Sequence, residues 1–156
     1  MTLLSAEVVH WSKRSVLCWL ATVDDTGQPN VSPKEIFKVF DASHIVIANI
    51  YSPRSARNLW HSPQVCVSFI DVFAQRGCKV RGSAVNVSKN DPHFDYWAAP
   101  LLKMAGQRFP IHSVFVVRAS AVEPILAPSY RLYPDEVTEH TQTEAAYLTY
   151  GVLPRH

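Results

Sequence analysis

Most signatures that give a short chain away are missing here. The 156 residues include three cysteines, Cys18, Cys66 and Cys78, with no CxxC spacing. An odd number of widely spaced thiols excludes a disulfide framework and gives no zinc pattern, so they read as small buried side chains. The seven histidines do not cluster. His61, His93, His112 and His140 stand alone, and without an HxH, HExxH or HxxxH pair no metal centre is expected. No GxGxxG follows the first strand-like run and no GxSxG elbow occurs, which removes the usual dinucleotide fingerprint and a hydrolase nucleophile. A formal net charge of +2 is too small to argue for a nucleic-acid partner. No stretch reaches the length of a membrane span, and "MTLLSAEVVHW" is amphipathic rather than built as a signal peptide. The expectation is a cytoplasmic protein without a membrane partner. Neither repeat nor linker interrupts the chain, and its length suits one domain over residues 1–156.

Carboxylate pairs are present but have ordinary explanations. Asp24–Asp25 fall in a turn, where Asp makes local hydrogen bonds, and Asp135–Glu136 after Pro134 look like a helix start. No acid–base pair and no protein nucleophile emerges, so no catalytic side chain is assigned. Chemistry, if there is any, belongs to a bound cofactor, and flavin suits that description.

The periodicity predicts a short helix over residues 3–12, then a strand in "SVLCWLATV", a turn in "DDTGQP" and a second strand from Asn30 through "VSPKEIFKVF". Pro33 within it suggests an edge, a bulge or a bend. "HIVIANI" is the third strand. Pro53 suits a first helical turn, with Ser52 as its cap and residues 54–61 as the helix. "QVCVSFIDVF" and "CKVRGSAVNVS" are the fourth and fifth strands, with Gly82 marking a bulge or a close approach. Asp91 caps a helix that opens at Pro92 and runs to about Lys103. "SVFVVRASAVEPIL" is the sixth strand. A tail from about residue 127 holds "TEAAYLTYG", helically spaced and stopped by Gly151. Six strands joined mostly by turns indicate a mainly β chain with flanking helices, an antiparallel barrel rather than a doubly wound sheet.

The densest chemistry lies in "NIYSPRSARNL", where Ser52, Arg54, Ser55, Arg57 and Asn58 follow a strand within one turn and a half of helix. Free N–H groups at a helix start, a favourable dipole, hydroxyls and a guanidinium fork can hold a phosphate or carboxylate. The same pattern also fits a solvated surface helix. In "NVSPKE", Ser32 and Lys34 share one face and Glu35 takes the other. In "CKVRGSA", Lys79 and Arg81 share a face. Each pair also fits a plain solvent face, while together the three segments can surround one anionic ligand with a large flat body.

"VLCWLATVDDTGQPNVSPKEIF", "HIVIANIYSPRSARNLWHSPQVCVSF" and "KVRGSA" resemble the FMN-binding split-barrel family, the pyridoxamine 5'-phosphate oxidase-like proteins, over the chain up to Ala84. The resemblance implies a six-stranded antiparallel split barrel and a homodimer with FMN at the subunit interface. It implies that Ser55 and Arg57, supported by Ser52 and Asn58 with Arg54 as an extra donor, hold the phosphate. Ser32, Pro33, Lys34 and Glu35 would lie along the isoalloxazine, with Lys34 a donor to the reduced ring. Ala48 and Asn49 would contact the flavin, and Lys79 and Arg81 would come from the fifth strand, of the other subunit in one arrangement. The end of the chain, "TYGVLPRH", lacks the Arg- and His-bearing substrate segment expected of true pyridoxamine phosphate oxidases. The implied activity is FMN-dependent oxidoreduction of a small substrate. A flavin store without turnover, or a barrel holding deazaflavin or haem, are the alternatives.

Overall fold

The computed structural model describes residues 3–155 and is mainly β with flanking helices. Among the described residues there are seven strands: β1 (Cys18–Val23), β2 (Pro29–Lys34), β3 (Phe37–Val39), β4 (His44–Asn49), β5 (Gln64–Asp71), β6 (Arg76–Ser88) and β7 (Ser113–Leu126). They form one sheet in the order β2-β1-β5-β6-β7-β4-β3, antiparallel at every step. The helices are α1 (Ala6–Arg14), α2 (Pro53–His61), α3 (Phe94–Ala105), α4 (Ser129–Leu132) and α5 (Glu139–Tyr150).

The expected count of six strands is corrected to seven. The second strand divides at Glu35–Ile36: its first half pairs with β1 and its second half with β4. These halves, β2 and β3, are the two edges of the sheet, so one continuous segment links both edges. Pro29 and Pro33 both fall in β2, where an edge tolerates a missing N–H. The sheet curls strongly. Phe37 of β3 and Phe69 of β5 have ring centroids 5.4 Å apart, although a flat sheet would separate strands four places apart by roughly 19 Å. This is a curled half-barrel of the kind a split barrel requires.

Alternation fixes what each strand face meets. Along β4, Ile45 and Ile47 enter the barrel core with Leu20, Phe69 and Phe115, while Val46 and Ala48 face a second core built on Ala98 and Leu101 of α3. Burial on both faces is why "HIVIAN" reads as a continuous apolar run. Helix α1 closes the barrel core with Val8 and Trp11, and α2 packs Ala56 and Leu59 against it. Gly82 meets both expectations for it. The β6–β7 register shifts between Arg81 and Gly82, and a Cβ at Gly82 would overlap the Arg118 carbonyl.

Three helix boundaries are corrected. The first helix runs from Ala6 to Arg14. α3 starts at Phe94 rather than Pro92, because the Asp91 carboxylate accepts the His93 N–H at 2.8 Å within a turn that precedes the helix. Asp135 and Glu136 lie in a turn, and α5 begins instead after Thr138, which forms a reciprocal capping box with Thr141. The tail docks on the barrel: Tyr130 donates its hydroxyl to the Ala74 carbonyl at 2.7 Å, Tyr147 and Tyr150 meet Phe73 edge-on, and Glu139 pairs with Arg14.

Candidate functional site

Strand β2 ends on Lys34, paired across from Cys18 of β1 and only 6% exposed. The two-residue period brings Ser32 to the same face. Lys34 Nζ donates to Ser32 Oγ at 2.7 Å and to Ser52 Oγ at 2.6 Å. Ser55 Oγ lies 3.2 Å from Ser32 Oγ, and Ser55 is 1% exposed. One ammonium and three hydroxyls thus meet where β2 passes the start of α2. Among the described residues no carboxylate comes within ion-pair distance of Lys34.

The expectation that the Ser52 hydroxyl caps α2 is corrected: it makes no capping hydrogen bond and accepts from Lys34 instead. The first turn of α2 therefore has no side-chain cap and no acidic residue, and its partial positive charge adds to that of the ammonium. Burial holds the Lys34 pKa below the usual lysine range, with Cys18 opposing in smaller measure. Burial also pushes the Cys18 thiol up to about 12, so it stays neutral beside Lys34. A cation that has lost water and gained only neutral partners is costly. An anionic ligand would offset that cost.

Asn49 positions this cluster. Its Oδ1 accepts the Ser52 N–H at 2.9 Å and its Nδ2 donates to Ser113 Oγ at 2.8 Å. With both ends of the amide engaged, it fixes the loop between β4 and α2. Asn58 turns into the barrel and donates to Thr22 Oγ1 at 2.9 Å. A cleft of about 200 Å³ opens over Lys34 and Ser52, with Pro33, Glu35 and Ala48 in its walls.

The structure does not bring every expected residue to this cleft. At 100° per residue Ser52 and Ser55 share one side of α2, and Arg54 and Arg57 share another. Both arginines are exposed and, with Asn58, line a separate cleft of about 360 Å³ against Asp24 and Asp25. Asp24 is held below the usual carboxylate range by the N–H of Gln28 and by Thr26, with Arg54 adding a smaller share. Lys79 and Arg81 are exposed on the outward face of β6, where both pair with Glu123 at 3.1 and 2.9 Å. β6 is three strands from β2, and these side chains point to the opposite face from buried Lys34. Within one chain they do not join Lys34.

Tyr51 and Phe109 also line the Lys34 cleft, and the sequence reading passed over both. Tyr51 carried a local signal as the residue between the third strand and the serine-rich turn. Phe109 carried none, because only the turn between α3 and β7 brings it there. Ser113 and Thr22, which brace Asn49 and Asn58, were likewise invisible without the strand register.

A curled antiparallel sheet with a cationic, hydroxyl-rich cluster beside an uncapped helix start is the arrangement of a split barrel. The model of the family described as pyridoxamine 5'-phosphate oxidase matches residues 4–127, and the chain belongs to that family. Among solved structures it is similar to a candidate pyridoxamine 5'-phosphate oxidase from Lactobacillus delbrueckii, at 25% identity and a TM-score of 0.66, covering 79% of this chain and 95% of that one. An FMN-binding protein from Syntrophomonas wolfei gives a TM-score of 0.66 at 16% identity, over 80% of this chain and 86% of that one. HutZ, the haem storage protein of Vibrio cholerae, gives 0.61 at 22% identity, over 81% and 95%. The last two likenesses are of fold alone. No protein of curated function matches the sequence significantly. Among the described residues no three of His, Cys, Asp and Glu come together as metal ligands, and no helix is long and apolar enough to cross a membrane.

Proposed function

We propose that the chain binds FMN and serves as an FMN-dependent oxidoreductase of the pyridoxamine 5'-phosphate oxidase type, acting on a small substrate in the cytoplasm. The observation that carries this reading is Lys34, 6% exposed and bonded only to hydroxyls. Such a group fits a phosphate: the ammonium supplies charge, and Ser32, Ser52 and Ser55 supply directed donors. Lys34 therefore takes the phosphate in place of the ring position expected for it. Pro33, Glu35 and Ala48 form the wall along which the rest of the ligand lies, and Asn49 holds Ser52 in place. Arg54 and Arg57 in the adjoining cleft attract the anion without seating it. When bound, FMN supplies the hydride chemistry for which no side chain was found.

A homodimer belongs to the same reading. The Lys34 cleft, at about 200 Å³, falls below the roughly 300–1,000 Å³ of complete ligand pockets, as expected of half a site. Trp19, Val31 and Val85 are 39%, 58% and 59% exposed on outward sheet positions, alongside Lys79 and Arg81. A second copy would cover this face and bring those cations to the first copy's ligand. Free Cys18, Cys66 and Cys78 suit a reducing compartment.

The visible absorption spectrum of the purified protein, repeated after adding FMN and desalting, tests the assignment. Retained flavin bands support it; a protein that stays colourless overturns it. A haem spectrum would move the chain towards the Vibrio protein's ligand, although among the described residues no histidine lines the cleft. Turnover of NADH or NADPH with an electron acceptor separates an enzyme from a flavin store.

A further inference from the structure

Two rings at the Lys34 cleft have no aromatic partner among the described residues. Tyr51 is 90% exposed and Phe109 is 41% exposed. Several other surface rings gather into clusters, although exposed Trp60 and Tyr133 do not. Phe40 packs against Tyr96 and Trp97, and Phe73 packs against Tyr147 and Tyr150. Tyr51 and Phe109 enter no aromatic pair among the described residues. The Arg108 guanidinium lies 5.6 Å from the Phe109 ring centroid. Both rings nevertheless line the cleft over Lys34 and Ser52, whose other walls include the apolar side chains of Ile36, Ala48 and Ile50.

The cleft lining therefore has two chemistries: the charged and hydroxyl groups of Lys34, Glu35 and Ser52, and a set of rings and aliphatic groups. Inorganic phosphate would use the first and leave the second wet. A ligand with an anionic end and a flat ring system would use both, and aromatic faces favour such a ring by offset stacking. Resting on the FMN reading above, we propose that Tyr51 and Phe109 are stacking residues that clamp the planar part of the ligand while Lys34, Ser32 and Ser52 hold its phosphate. The ring of Tyr51 hangs one residue from the Ser52 hydroxyl, so a single loop, braced by Asn49, would set both contacts.

FMN titration of the unaltered protein and its variants, followed by flavin fluorescence, tests this. Tyr51→Ala and Phe109→Ala are each expected to weaken binding about three- to tenfold, the range that one aromatic pair provides. Tyr51→Phe is expected to keep the affinity and brighten the bound flavin. A phenol in contact quenches excited flavin by donating an electron that returns on recombination, whereas a phenyl ring does not. A purely structural role for Tyr51 would not separate affinity from brightness in this way. Both side chains are exposed, so the variants should keep the parent melting temperature. Unchanged affinity and brightness in the alanine variants, with the parent binding FMN, would overturn the clamp and leave the flavin assignment standing. A parent that does not bind FMN would overturn both.

Discussion

Arg14 at the surface and Lys34 in the interior are both engaged cations, in opposite company. Arg14 pairs with Asp71 at 2.6 Å and with Glu139, and Arg76 approaches Glu139 at 3.8 Å. Both guanidiniums lie 5.4 Å from the centroid of the Trp11 ring. Every cation in that group has an anion, and together they fasten the start of α5 to α1 and the β5–β6 turn. Lys34 has hydroxyls only. A compensated cluster is structural: its charges already have their partners in the chain. An uncompensated one leaves an interaction unmade, and a ligand can make it. Lack of compensation, together with burial, distinguishes the site more clearly than charge alone.

The largest expected effect separates the two clusters by stability. Asp71 also accepts the N–H groups of Phe73 and Ala74, at 2.9 and 3.0 Å. Asp71→Ala should cost about 2–3 kcal/mol by removing these bonds from a buried carboxylate together with its Arg14 pair, which lowers the melting temperature by about 5–10 °C in a chain of this size. FMN affinity should not change. Lys34→Met should do the reverse. Melting should be unchanged or raised, because a costly buried charge is gone, and FMN affinity should fall about ten- to a hundredfold, the worth of a charge-assisted contact. Calorimetric melts and FMN titrations of the two variants would show the crossing; a shared loss of both properties would erase the distinction.

The pH dependence sharpens the contrast further. Because the folded protein holds Lys34 below its ordinary pKa, between that value and about 10.4 the unfolded chain binds the extra proton. In that window Lys34 makes ligand-free stability rise with pH. Phosphate binding needs the ammonium and should weaken as pH rises through the depressed pKa. FMN titrations across the alkaline range should show this loss in the parent and none in Lys34→Met. The smallest effect is expected at Arg57, whose exposed charge is screened by solvent. Arg57→Ala should weaken FMN less than about fivefold. A loss as large as that of Lys34→Met would return the phosphate to the arginine side of α2.

Much of this was legible from local patterns. The alternation in "VSPKE" places Ser32 and Lys34 together, and Pro53 marks the start of α2. Gly82 announces a close approach that the Arg118 carbonyl makes real. Less legible was anything set by closure of the sheet. The break at Glu35–Ile36 has no Gly, Asn or second Pro to mark it, although the chain bends there while changing partners from β1 to β4. Burial of Lys34 follows from that closure, which a charged residue on an apparent edge strand does not suggest. The grouping of Arg57 with Ser55 followed adjacency in the sequence, whereas helical phase sets them on different sides of α2. The docking of the tail depends on Glu139 meeting Arg14, a contact between opposite ends of the chain.

The most direct measurement is the FMN-to-riboflavin affinity ratio in the parent and in Lys34→Met. The two ligands differ only by the phosphate that the Lys34 cluster is proposed to hold. The parent should favour FMN by about ten- to a hundredfold, and Lys34→Met should bind both ligands almost equally. A preference for FMN that survives loss of the ammonium would contradict the assignment of Lys34 to the phosphate.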